Sequence, residues 1–388
     1  MQSSTVREMS SPWGVALSGQ LALAVAIGIG RFAFTPILPM MVDDAGLSVA
    51  QGGWLASANY LGYFLGALAA MAGGIGQRLA IRVGLVAIAA TTLAMGFASS
   101  VGAWLALRAL PGFASAWVLV NVSAWSLDRL GKAGRGDLAG VVYAGVGVGI
   151  VFAGLACMAL GQARLGSVDA WLALGLSAIV ATGILWPIAG GDSPGAVGAA
   201  VVRASSRDIP EFWRLVFCQG AFGFGYIIPA TFLPVMAKEI VADPLSFGWA
   251  WPAFGAAAAA STFVAARLAA VLSNRAIWIG ANLAMAAGVL VPLAVPGLTA
   301  IAIAALLVGG TFMVTTMVGF QEARRVAGPR ARLLIAAMTA AFAAGQIAGP
   351  LLVSVLSATN EFSAALVAAA IPLFIAAYLL NDTKSERP

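Results

Sequence analysis

The feature that most limits what this chain can become is a recurring apolar run longer than a globular helix needs. About 20 mostly apolar residues cross the hydrocarbon layer of a bilayer. Runs of that length lie near 13–42, 51–76, 79–99, 102–127, 138–162, 168–189, 211–237, 246–270, 275–295, 298–321, 331–357 and 362–380. They are continuous, whereas a membrane barrel would show short alternating segments. Hydrophobic residues make up 61% of the 388 and charged residues only 9%, against about 25% charged in a soluble domain. The expectation is an all-α membrane protein of twelve transmembrane helices, with the lipid bilayer as solvent. The first run is too long for the core of a secretory leader and continues into Asp43 and Asp44, so it reads as a spanning helix.

The charges give an orientation. With the N-terminus inside, the even-numbered connections hold Arg78 and Arg82, then Arg129, Lys132 and Arg135, then Arg203 and Arg207 followed by Arg214, then Arg267 and Arg275, then Arg324, Arg325, Arg330 and Arg332. The tails add Arg7, Lys384 and Arg387, while the outer loops hold only Arg164 and Lys238. This is the positive-inside pattern, and it predicts a bacterial inner-membrane protein with both termini cytoplasmic. It also accounts for the net charge of +6, which removes the case for nucleic-acid binding. The sequence has no histidine, which excludes an imidazole metal site or proton relay. No metal site, cofactor or catalytic constellation is expected. Cys157 and Cys218 lie in apolar runs and read as packing residues.

An internal repeat divides the chain. Gly28, Gly30 and Pro39 align with Gly223, Gly225 and Pro234 at an offset of 195 residues, and Gly53-Trp54 aligns with Gly248-Trp249 at the same offset. The pattern predicts a tail at 1–12, a six-helix bundle at 13–189, a linker at 190–210, a second six-helix bundle at 211–380 and a tail at 381–388. Two parallel repeats around a midplane site are one way secondary transporters achieve alternating access.

With these features the chain resembles the major facilitator superfamily over nearly its full length. The loop after the second helix, Gly73-Gly74-Ile75-Gly76-Gln77-Arg78 followed by Arg82, is similar to the family's loop motif but lacks its acid. Arg108 followed by Pro111-Gly112 is similar to the fourth-helix motif, with proline in place of the usual glutamine. The fifth helix has Gly145, Gly147 and Gly149 without the Gly-Pro element of drug/proton antiporters; the Gly-Pro is Gly349-Pro350 in the eleventh. The run from Gly28 to Pro39 resembles a bacterial branch of the YbfB/YjiJ type. The resemblance implies that helices 1, 4, 7 and 10, with 2, 5, 8 and 11, face a central cavity.

Mid-span polar residues fall on that set: Arg31, Asn59, Tyr60, Tyr63, Asn121, Tyr143, Gln219, Tyr226 and Gln346. These are the candidate substrate-binding residues. Arg31 lies about twelve residues before the outer acids, roughly 18 Å deep at ~1.5 Å per residue. A charge there costs about 2.5–3.5 kcal/mol, so it must face water, a partner or a ligand. Either it binds an anionic group through its planar fork or it ties down backbone carbonyls. The acids sit at helix ends or loops, among them Asp43, Asp44, Asp128, Asp137, Asp169, Glu211, Glu239, Asp243, Glu322 and Glu361. An arginine without a nearby acid is available to a substrate anion. Tyr60, Tyr63 and Asn59 either line the cavity or pack between helices. Arg108 is either a conformational residue or a second anion contact. Asp128 with Arg129, and Glu322 with Arg324 and Arg325, are expected to form inner salt bridges that latch one conformation. Trp249 and Trp251 read as an interfacial belt. The function expected is secondary transport of a small organic anion or amino-acid-like solute by a monomer, with proton coupling left open. Export of hydrophobic or drug-like compounds is the alternative.

Overall fold

The computed structural model describes residues 11–73, 75–187, 208–240, 249–295, 297–357 and 362–381. Among these no residue is in a strand. The α-helices are α1 (Pro12–Leu23), α2 (Phe34–Asp44), α3 (Val49–Ala72), α4 (Gln77–Met95), α5 (Val101–Lys132), α6 (Ala139–Gln162), α7 (Ser167–Leu185), α8 (Asp208–Ile240), α9 (Ala250–Leu268), α10 (Asn274–Ala294), α11 (Leu298–Ala327), α12 (Ala331–Ser357) and α13 (Phe362–Leu380). Nine stretches of the described residues are long and apolar enough to cross a membrane. The expected linker and both tails fall almost wholly outside the described residues.

Serines start several of these helices. Ser48 and Gln51 form a reciprocal capping box at α3, while Ser11, Ser100 and Ser273 each accept one N–H of the first turn of α1, α5 and α10. Each such cap satisfies a backbone donor that has no intrahelical partner. The outward faces are apolar: on α7, Leu176, Val180 and Ile184 all stand exposed. A water-soluble surface rarely carries so continuous a patch.

α3 packs on α5, α4 on α5 and α7, and α1 on α6. Later in the chain α8 packs on α12 and α13, and α10 on α11 and α13. Contacts of α6 with α9 and of α3 with α12 tie early helices to late ones. Glycine permits several of these approaches. A Cβ on Gly28 would stand 2.5 Å from the Cα of Gly149 in α6, and a Cβ on Gly255 would stand 2.8 Å from the carbonyl oxygen of Gly147. The glycines of the fifth helix thus serve close helix contact on two sides.

The first run is the one whose internal geometry departs from a plain span. It breaks into α1, a π-helical segment at Ala24–Ile29, a turn and α2. Its repeat mate α8 runs without interruption. Proline marks the far end of the break: Pro36 has no N–H for the carbonyl of Phe32. The N–H of Thr35 turns to that oxygen at 3.3 Å, leaving the carbonyl of Arg31 without a helical partner. Two expectations are corrected here. Arg275, grouped with the charges of a cytoplasmic connection, is buried in the first turn of α10. Trp251, read as an interfacial residue, is half-buried, with its ring 5.3 Å from Phe254 and 5.9 Å from Phe32.

Candidate functional site

The break in the first helix presents two carbonyl oxygens to its neighbours, and α5 answers them. Arg108 donates from Nη1 to Gly30 O at 3.4 Å and from Nη2 to Arg31 O at 3.2 Å, with its guanidinium carbon 4.6 Å from the Phe34 ring centre. Asn59 of α3 donates from Nδ2 to Gly30 O at 3.4 Å and to Arg108 O at 3.0 Å. Two turns further along α5, the Ser115 hydroxyl is shared between Ala26 O at 2.5 Å and Pro111 O at 2.6 Å. These buried groups fix the interrupted backbone, because a bare carbonyl in a lipid-embedded interior costs more than its bond to a side chain. Arg108 and Asn59 are therefore engaged with main chain.

Arg31 itself points the other way. Its side chain is 6% exposed and its guanidinium carbon lies 3.8 Å from the ring centre of Tyr63 and 5.8 Å from that of half-buried Tyr60. Nη2 donates to Gln346 Oε1 of α12 at 2.7 Å. Nε has no hydrogen-bond partner among the described residues. No described carboxylate lies within salt-bridge distance of this guanidinium.

Arg31, Tyr63 and Gln219 line one small cavity with Ile27 and Phe32 from the first helix, Leu119 from α5, Val146 from α6, Phe312, Met313, Thr316 and Phe320 from α11, and Thr339 and Phe342 from α12. Its volume is ≈ 20 Å³, room for about one water-sized sphere. Among the described residues Arg31 is the one charged side chain on that lining, and no described carboxylate shares it. The remaining candidates stand behind this layer. Tyr226 stacks on Phe312 at 4.9 Å, Tyr143 meets Phe320 edge-on at 6.3 Å, and Asn121 donates back to Trp117 O at 2.8 Å.

The lining residues of α11 and α12 were not singled out from sequence. Their spacing carried a signal: 312, 316 and 320 are successive fourth residues, and 339 and 342 are three apart, so each set shares a helix face.

A second cluster sits where α8 and α10 begin and α11 ends. Glu322, 1% exposed, accepts from Arg275 Nε at 2.6 Å and from Arg325 at 2.7 and 2.8 Å. Arg275 also bonds Glu211, which in turn pairs with Arg214. Arg324 reaches α5 instead, standing 3.5 Å from the carboxylate of Asp128 and donating to its carbonyl oxygen at 3.3 Å. Lys132 holds the other oxygen of Asp128 at 2.7 Å. Arg129 is exposed and makes no ion pair among the described residues. Arg332 donates to Ile75 O at 3.4 Å, so the acid-free loop after α3 is met through its main chain. Glu211 and Arg275 escaped the sequence reading because the residues they join are 64 and 47 positions apart.

A broken first helix, a buried guanidinium and a cavity walled by helices from both ends of the chain describe a membrane carrier, and comparison with known families agrees. Residues 23–381 match the family described as "Uncharacterised MFS-type transporter YbfB". The chain belongs to this family. It is a multi-pass membrane protein of the major facilitator type, and its family is one of transporters of small molecules. A search of curated proteins found no match.

Proposed function

We propose that this facilitator is a secondary transporter that carries a small organic anion or amino-acid-like solute across the bacterial inner membrane. In this reading twelve spans form two six-helix bundles, at 13–189 and 211–380. They rock about the cavity in a monomer whose termini are both cytoplasmic. The observation that carries it is Arg31: a buried cation on a cavity shared by early and late helices, with no described carboxylate to neutralise it. A substrate anion supplies that charge, and neutralising Arg31 lowers the cost of closing the site around the cargo. A guanidinium offers parallel donors that match a carboxylate.

Tyr63 and Gln219 on the same lining are positioned to orient the cargo, and Gln346 holds the Arg31 fork. Arg324 with Asp128 bridges the two bundles at the inner side, and the Glu322 cluster holds the second bundle together there. A coupling proton has no carboxylate to ride on in the cavity, so it travels with the anion or through an acid at a helix end. Export of lipophilic cations is disfavoured by a positive site, which repels them.

The test is uptake of a panel of organic anions into proteoliposomes by the wild type, Arg31→Lys and Arg31→Ala. Saturable uptake that falls in both variants supports the reading. Equal uptake by all three, or resistance to lipophilic cations on overexpression, overturns it.

A further inference from the structure

The chemistry of the cavity narrows the cargo, on the assumption that the carrier reading above holds. We infer that the site selects a monocarboxylate with an aromatic body, against dicarboxylates and amino-acid zwitterions.

Charge count decides the head group. Arg31 is the sole cation among the described residues of the lining. The next guanidinium, Arg108, has both Nη groups on the carbonyls of Gly30 and Arg31 and lies against the Phe34 ring, so it is not free to take a second carboxylate. A dicarboxylate would bring one negative charge more than the site holds, into a medium where an unpaired charge is costly. An α-ammonium would need an acid, and none of the described residues lining the cavity is one. The neutral amide of Gln219, 1% exposed and with no partner for Oε1 among the described residues, provides one further polar contact. It suits a hydroxyl or the second carboxylate oxygen, because an amide can turn either end to a ligand.

The rings decide the body. Phe32, Phe312, Phe320 and Phe342 make up much of the remaining wall. Phe32 on the first helix meets Phe312 on α11 edge-to-face, 5.8 Å between centres and 88° between planes. Helices from the two ends of the chain therefore already meet here through an aromatic pair. With only ≈ 20 Å³ free, any cargo larger than water must part those rings. A cargo ring that enters between them restores on each side the offset or edge contact that separation removes. A small aliphatic acid parts the rings and restores neither contact.

The experiment uses the purified full chain in detergent, with binding followed by calorimetry and thermal shift. The probes are phenylacetate, acetate, succinate and L-phenylalanine. Phenylacetate is expected to bind at least tenfold more tightly than each of the other three. Arg31→Gln should weaken it at least tenfold. Phe312→Ala should weaken phenylacetate and narrow its lead over acetate, an arm that stands even where Arg31→Gln fails to fold. Succinate or L-phenylalanine binding as tightly as phenylacetate, in an Arg31-dependent manner, overturns the inference and leaves the anion reading intact. Acetate equal to phenylacetate does the same. Failure of every anion to bind overturns both.

Discussion

Arg31 and Gln346 are 315 residues apart in the chain and joined by a 2.7 Å hydrogen bond from guanidinium to amide. The amide satisfies one donor of the fork without cancelling its charge. Gln346→Leu removes the acceptor and should lower stability by about 1.5–3 kcal/mol, the range for a hydrogen bond to a charged group. Gln346→Glu supplies a fixed counter-charge instead. That variant should melt higher than the Leu variant and bind anions at least tenfold more weakly than wild type, about 1.4 kcal/mol. Chemical unfolding in detergent and calorimetry read the two effects.

Arg108 acts on the same site through backbone. Arg108→Leu leaves the carbonyls of Gly30 and Arg31 short of a donor, and should cost about 1.5–3 kcal/mol of stability. Arg108→Lys, which places one ammonium where two Nη groups stood, should recover only part of it. Full recovery by lysine, read by thermal unfolding, would show that charge alone matters there.

Glu322 and Arg275 are both almost wholly buried and bonded at 2.6 Å. Removing either partner should destabilise by about 1.5–3 kcal/mol, the range for a hydrogen bond to a charged group, since Glu322 keeps Arg325 and Arg275 keeps Glu211. The double variant Glu322→Gln with Arg275→Gln should be less damaged than the sum of the singles, with a coupling of about 0.5–3 kcal/mol in a double-mutant cycle. Strict additivity would mean the pair is not coupled.

Asp128 and Arg324, by contrast, are partly exposed. Arg324→Gln should change stability by no more than about 1 kcal/mol. Its effect should appear in the balance of conformations, as faster alkylation of a cysteine introduced on the wall of the cavity. An unchanged alkylation rate would leave this contact without a latching role.

Asn282 on α10 is fully buried, and neither its amide oxygen nor its nitrogen has a hydrogen-bond partner among the described residues. Asn282→Leu removes two unsatisfied groups at modest change in volume, and should raise stability by about 1–3 kcal/mol. A fall in the unfolding midpoint would show that the amide has a role in another conformation.

What the sequence displayed, and what it hid, divides along the range of the physics. Apolar runs report on the solvent, and α10, expected at 275–295, is found at Asn274–Ala294. Pro36 stands just past the break in the first helix, and a missing N–H is a local fact of sequence. That the freed carbonyls would be taken by Arg108 and Asn59 depends on how α3 and α5 come to lie beside them. Polarity in mid-span picked out Tyr63 and Gln219, which line the cavity, but also Tyr143 and Tyr226, which stack behind its phenylalanines. Phe312 and Phe342 were passed over because one phenylalanine facing a cavity looks, in sequence, like one facing lipid. The 195-residue offset matched Arg31 with Tyr226. The two helices share glycines, yet one is broken and the other runs on through Pro229.

Gly147 and Gly255 meet main chain to main chain. Neither glycine puts a side chain between α6 and α9, so at that point the spacing of the two helices is set by backbone. Even one added methyl group at either position would strike the opposing main chain and act as a wedge between the helices.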